Sequence, residues 1–147
     1  MKGTMIMPFR KILVAYDGSE SAKKAVEKAR DIAQLNSSVR VDVVYVLPIP
    51  LLNDVETESL NEIIDMMMED GKDILSEAQE LLDDVSDQIK TYLLKGLAPA
   101  TEILKMVEKG EYDLTIVGSR GLSGMRQYLG SVSYKILHST DMPVLVV

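Results

Sequence analysis

The chain has 147 residues, of which 46% are hydrophobic and 27% are charged, and this composition is typical of one globular domain with a substantial core. It has no cysteine and one histidine, which excludes disulfides, thiol catalysis and Cys/His zinc sites within one chain. The net charge of −7 and the lack of a long apolar run argue against nucleic-acid binding and a membrane span, so the cytoplasm is the expected location.

The first half of the chain reads as alternating strands and helices. Residues 1–8 are expected to be a ragged leader to a single domain that covers residues 1–147. Residues 10–16 form an apolar run that ends at a turn, Asp17-Gly18, and this pattern predicts the first strand. Ser19 or Ser21 can then cap a helix whose apolar residues recur every three or four positions. The β-branched residues of segment 39–46 predict a second strand.

The second half continues the alternation. A mobile loop is expected at residues 47–59, followed by a long helix over about residues 60–85 with an acidic outer face. Strands are predicted at residues 89–94, 114–118 and 143–147. A helix begins at Pro99 and ends at Gly110, and a last helix contains Val132 and Ile136. This order predicts a doubly wound, three-layer α/β fold with a parallel sheet, in which ligands bind outside the carboxyl ends of the strands.

The segment from Gly118 to Ser133 is the main candidate for a binding site. It links the fourth strand to the last helix and contains four glycines that follow no P-loop or dinucleotide pattern. Backbone amides and the hydroxyls of Ser131 and Ser133 could hold phosphate there, with Arg120 and Arg126 supplying positive charge. The alternative is that these glycines only end a strand and begin a helix. The number of glycines and serines favours binding.

Other candidate residues give weaker signals. Asp17 follows the first strand and could meet a ribose hydroxyl or a divalent cation, although Asp-Gly is also a common turn pair. His138 has no triad partner at a suitable spacing, so a surface position is expected. The methionines at 66–68 and the acidic helix face are expected to be structural.

Three blocks of sequence, taken together, resemble the universal stress protein family over nearly the whole chain. They are KILVAYDGS at 11–19, DLTIVGSRGLSG at 113–124, and LGSVS at 129–133 continuing to PVLVV at 143–147. The resemblance implies the adenine nucleotide alpha hydrolase-like fold, with strand order 3-2-1-4-5. It also implies a homodimer in which the apolar last strand, residues 143–147, pairs across a two-fold axis.

The resemblance also implies a site for ATP, AMP or ADP. ATP-binding members carry the pattern G-x2-G-x9-G-(S/T). Here Gly118, Gly121 and Gly130-Ser131 match, but eight residues, 122–129, separate Gly121 from Gly130. By resemblance, Asp17 and the backbone of Ala15 would lie at the nucleoside, and the backbone of Val41 would meet the adenine edge. Gly118 would lie at the ribose, with the phosphates near Arg120, Gly121, Gly130, Ser131, Val132 and Ser133.

Three functions stay open at this point. The first is a regulatory protein that binds an adenine nucleotide, with Mg²⁺ or Mn²⁺ bridged by phosphates and Asp17 as a candidate ligand. The second, favoured by the shortened spacing, is a dimer of the same type that binds no nucleotide and acts through an unidentified protein partner. The third is a slow ATP hydrolase or nucleotidyl enzyme, which the lack of an evident base and of a P-loop lysine disfavours.

Overall fold

Strands and helices alternate along the chain, as the hydrophobic pattern predicts. The structure is a computed structural model, and it describes residues 9–49, 57–120 and 130–147. The strands are β1 (Lys11–Ala15), β2 (Arg40–Pro48), β3 (Ile89–Gly96), β4 (Leu114–Val117) and β5 (Val144–Val146). The helices are α1 (Glu20–Leu35), α2 (Thr57–Leu81), α3 (Pro99–Gly110) and α4 (Ser131–Ser139), with a 3₁₀ segment at Asp83–Gln88.

All the strand pairs are parallel, and the order is β3-β2-β1-β4-β5, which confirms the expected topology. Strand β1 is central, because Ile12 lies opposite Val41 of β2 on one side and Leu114 of β4 on the other. The chain moves outward from β1 in one direction and later returns to its other side. The carboxyl ends of β1 and β4 therefore flank the point where the strand order reverses, which is where ligands bind in folds of this type.

The sheet buries apolar residues on both faces. Ile12 and Val14 of β1 pack against α1 and α2, whereas Leu13 packs toward α3 and α4, and all three are fully buried. Alternate side chains of a strand point to opposite faces, so β1 needs an unbroken apolar run to fill both layers. On α1, Ala25 and Ala29 are also fully buried, and their small side chains let the helix lie close to the sheet.

The region around α2 differs from the prediction at both ends. The expected loop at 47–59 is shorter, because residues 47 and 48 belong to β2 and residues 57–59 belong to α2; positions 50–56 lie outside the described residues. At the other end, α2 stops at Leu81 and gives way to the 3₁₀ segment, so the predicted helix was too long. The buried side chains Leu82 and Val85 fix this tighter turn beneath the sheet. No helix in the described part is long and apolar enough to cross a membrane.

Candidate functional site

The described residues form a cavity of about 310 Å³ at the carboxyl edge of the sheet, around the point where the strand order reverses. This volume is at the lower end of the usual range for small-molecule sites. Eight of the residues predicted from the sequence line it: Ala15, Asp17, Gly118, Arg120, Gly130, Ser131, Val132 and Ser133. Gly121, and with it Arg126, lies outside the described residues.

The amino terminus of α4 forms one wall of this cavity. Gly130 is the N-cap residue, with φ −58° and ψ 151°, and no side chain among the described residues caps the helix. The first N–H groups of a helix have no partner within it, so those of Ser131, Val132 and Ser133 are available to a ligand. Together with the positive end of the helix dipole, they make this wall suited to an anion.

The two ends of the glycine-rich segment meet beside this helix. The N–H of Gly130 donates to the carbonyl of Ser119 at 2.8 Å, and the N–H of Ser119 donates to the carbonyl of Val147 at 2.7 Å. The segment is one residue shorter than the family pattern, yet Gly118, Arg120 and the start of α4 line the same cavity.

Gly118 packs tightly against the start of α1. A Cβ atom added there would lie 2.5 Å from Ser21 Oγ and 2.7 Å from the Ser21 backbone carbon. The carbonyl of Gly118 accepts a hydrogen bond of 2.6 Å from the Ser133 hydroxyl, which is buried. The Ser133 hydroxyl thus donates its proton to the backbone, and the backbone N–H of Ser133 is the donor that it can offer to a phosphate.

Asp17 lies at the other end of the cavity, in a turn. Its Oδ1 accepts from the N–H of Ser19 at 2.9 Å, and Gly18 adopts a φ of 83°, a left-handed conformation that glycine tolerates best. The turn reading of Asp17 is thus correct. It does not exclude a role in binding, because the residue also lines the cavity and its other carboxylate oxygen accepts no hydrogen bond from the described residues.

Acidic groups lie near Asp17, whereas positive groups lie near the start of α4. Burial and the charge of Glu77 raise the pKa of Tyr16 to about 12, and the Tyr16 hydroxyl donates to Glu77 at 3.2 Å. Burial, Asp17 and Asp70 raise the pKa of Tyr45 as well. Both phenols are therefore neutral at pH 7. The Asp17 end is acidic, whereas Arg120 and the α4 terminus are positive, so an elongated anionic ligand would place its charge at the second end.

Val41, the position at which the adenine contact is expected, does not line the cavity. It is fully buried near the start of β2, three residues before the cavity wall begins at Val44. The pairing of β1 with β2 ends where Tyr16 N–H donates to the Val44 carbonyl at 2.8 Å. In a strand, the N–H and C=O groups of residues two positions apart point toward the same neighbouring strand. The backbone groups of Val46 therefore point to the same side as those of Val44, just beyond the last hydrogen bond to β1. Val46 therefore presents the hydrogen-bonding edge that was assigned to Val41.

The apolar walls of the cavity were missed in the sequence. They include Pro48 at the end of β2, Pro99 and Ile103 in the first turns of α3, and Val117 of β4. Their positions at or near the carboxyl edge were visible in the predicted elements, and that was the signal that could have identified them. A flat, apolar ring could lie between such walls.

A second cavity of about 350 Å³ lies along α3, beside β2 and β3, and includes Lys11 and Lys105. Lys11 Nζ donates to the Gly110 carbonyl at 2.5 Å, and Lys105 pairs with Glu102 at 3.2 Å, so both ammonium groups already have partners. In the ranges that the structure describes, no group of three or more His, Asp or Glu side chains could hold a metal ion.

Comparison with known proteins places the chain in the family that its sequence resembles. The model of the universal stress protein family matches residues 8–147. Universal stress protein YxiE of Bacillus subtilis is 35% identical over 147 aligned residues, which cover 95% of this chain and 99% of that protein.

Solved structures share the fold. Protein MJ0577 of Methanocaldococcus jannaschii superposes with a TM-score of 0.84 at 30% identity, over 96% of each chain. A universal stress protein of Archaeoglobus fulgidus, solved in complex with dAMP, superposes with a TM-score of 0.65 at 22% identity, over 95% of this chain and 98% of that one.

Proposed function

Because the chain belongs to the universal stress protein family, we propose that it is a regulatory protein whose carboxyl-edge cavity binds ATP or another adenine nucleotide. The observation that carries the proposal is the uncapped amino terminus of α4, which opens into a cavity also lined by Gly118 and Arg120. Three aligned N–H groups, a helix dipole and a guanidinium suit a phosphate chain. The dAMP complex of the Archaeoglobus relative supports the ligand class.

The opposite end of the cavity suits a nucleoside. The free backbone edge of Val46 can pair with a purine, as another strand would, and Pro48 and Pro99 offer apolar surfaces to its ring. The carboxylate of Asp17 can accept hydrogen bonds from ribose hydroxyls. This orientation keeps the phosphates away from the acidic groups near Tyr16.

A divalent cation would accompany the nucleotide. The chain carries a net charge of −7, and a triphosphate adds further negative charge. Mg²⁺ or Mn²⁺ held by phosphate oxygens relieves this repulsion, and Asp17, which we assign to the ribose, would be its ligand only if the phosphate chain folded back toward the nucleoside. Arg120 would neutralise part of the remaining charge.

The role we propose is ligand binding rather than catalysis. His138 lies seven residues beyond the start of α4, about 10 Å along the helix from the proposed phosphates, and its Nδ1 is 2.9 Å from the Tyr134 carbonyl. It is therefore poorly placed as a base for phosphoryl transfer. We further propose a single domain in the cytoplasm that forms a homodimer through the edge strand β5, where Leu145 is 38% exposed.

Calorimetric titration with ATP and Mg²⁺ tests the proposal. We expect saturable binding that Gly130→Val abolishes, because a branched side chain at the N-cap would block the approach of phosphate to the backbone. Gly96→Val is a control variant, since Gly96 lies at the end of β3 and does not line the cavity. No binding of ATP, ADP or AMP by the unmodified protein would refute the proposal and favour a dimer that acts only through protein contacts. Mass spectrometry of a co-purified small molecule would identify the nucleotide.

A further inference from the structure

Ser21, which the sequence offers only as a possible helix cap, makes two hydrogen bonds to one distant residue. Its hydroxyl donates to the carbonyl of Arg120 at 2.5 Å and accepts from the N–H of Arg120 at 3.1 Å. The two residues are 99 positions apart in the chain. Capping is performed by Ser19, whose Oγ accepts from the N–H of Ala22 at 3.2 Å. The hydroxyl of Ser21 is therefore free to hold another part of the chain.

The segment 118–120 is fixed residue by residue. Ser133 holds the carbonyl of Gly118, and Val147 and Gly130 hold the two backbone groups of Ser119. Within the described residues, the backbone of Arg120 is bonded only to Ser21. Loss of this hydroxyl would thus release one residue of the segment while the other two stay in place.

We propose that Ser21 is a positioning residue that sets the direction of the Arg120 guanidinium toward the phosphate end of the cavity. The inference rests on the proposed nucleotide function. Arg120 lines the cavity but is exposed, so no buried contact with the described residues determines the direction of its side chain. Hydrogen bonds to the N–H and carbonyl of Arg120 fix the backbone from which its side chain extends. The side chain therefore loses less conformational entropy when its guanidinium binds an anion.

The test compares ligands with and without phosphates. Removal of two hydrogen bonds in Ser21→Ala is expected to raise the Kd for ATP about five- to tenfold, whereas the Kd for adenosine changes by less than about twofold. Ser21→Thr and Ser21→Val have nearly the same shape and differ in the hydroxyl, so the first should bind ATP like the unmodified protein and the second like Ser21→Ala. Ser76→Ala is the matched control. It removes a hydrogen bond from a serine hydroxyl to the carbonyl of Lys72, and Ser76 does not line the cavity.

A double-mutant cycle with Arg120→Gln separates positioning from general destabilisation. If Ser21 acts through Arg120, adding Ser21→Ala to Arg120→Gln costs no further ATP affinity, and each single variant shows a weaker dependence of Kd on salt. An equal loss of ATP and adenosine affinity, an undiminished loss in the Arg120→Gln background, or unchanged ATP binding by Ser21→Ala would overturn the inference. If the unmodified protein binds no nucleotide, the proposed function itself fails.

Discussion

Replacement of Gly118 by alanine tests the close packing between the end of β4 and the first turn of α1, on which the shape of the cavity depends. The added Cβ would lie 2.7 Å from the backbone carbon of Ser21 and 2.9 Å from the backbone nitrogen of Ala22. Neither atom can move by rotation of a side chain. The carboxyl end of β4 and the first turn of α1 must therefore separate.

The contacts set the size of the effect. Ordinary van der Waals contact begins at 3.4 Å, so the backbones must separate by about 0.7 Å. Overpacking of this kind costs about 1–3 kcal/mol, which for a chain of this length lowers Tm by roughly 2–12 °C. A displacement of about 0.7 Å lengthens an ideal hydrogen bond to phosphate beyond its working range, so the Kd for ATP should rise at least tenfold.

Thermal unfolding and calorimetric titration provide the two measurements, and Gly96→Ala provides the matched control. The Cβ added at Gly96 would lie 2.6 Å from Glu102 Cγ, but that side chain is flexible and can rotate away. We expect a smaller loss of stability and normal ATP affinity for the control. If Gly118→Ala is as stable as the unmodified protein, the packing argument is refuted. If it is less stable but binds ATP normally, the phosphates lie elsewhere.

Three further predictions concern other parts of the molecule. Tyr112→Phe removes a 2.6 Å hydrogen bond to the buried carboxylate of Asp42 and should lower the free energy of unfolding in urea by about 1–3 kcal/mol; a loss below about 0.5 kcal/mol would contradict this. Because the pKa of Tyr16 is raised to about 12, the unfolded chain releases this proton first, and stability should fall as pH rises from about 10 toward 12. Tyr16→Phe should make that fall shallower, and identical slopes in denaturation at high pH would refute the assignment. Leu145→Lys should convert the proposed dimer to a monomer in analytical ultracentrifugation; an unchanged mass would show that β5 is not the interface.

Local pattern was enough to predict the elements of the fold. The apolar run in β1, the proline that begins α3 and the regular spacing in α1 each indicate their structure without distant contacts. The end of α2 was not predictable in this way, because its turn into a 3₁₀ segment depends on how Leu82 and Val85 fit beneath the sheet. The helical spacing of apolar residues continues past Leu81, so the sequence alone predicts a longer helix.

The site was predictable only where its residues are marked by local chemistry. Glycines and serines after a strand identified Gly118, Gly130 and their neighbours as candidates. That Val46 lines the cavity whereas Val41 does not depends on where the pairing of β1 with β2 ends, and the sequence pattern does not mark that point. The contact between Ser21 and Arg120 joins the first turn of α1 to the segment after β4, and no local pattern connects the two.

The hydrogen bond from Ser119 to the carbonyl of Val147 has a consequence for synthesis of the protein. The cavity uses residues from Ala15 onward, yet the segment beside it is fixed by a strand that emerges from the ribosome after all of them. A nascent chain that lacks β5 and Val147 can pair β1 with β2, but it keeps only the bond from Gly130 to Ser119 and loses the other. If the cavity binds nucleotide as we propose, the ligand would therefore stabilise a chain that contains β5 more than one that lacks it, and the shorter chain would be more open to proteolysis.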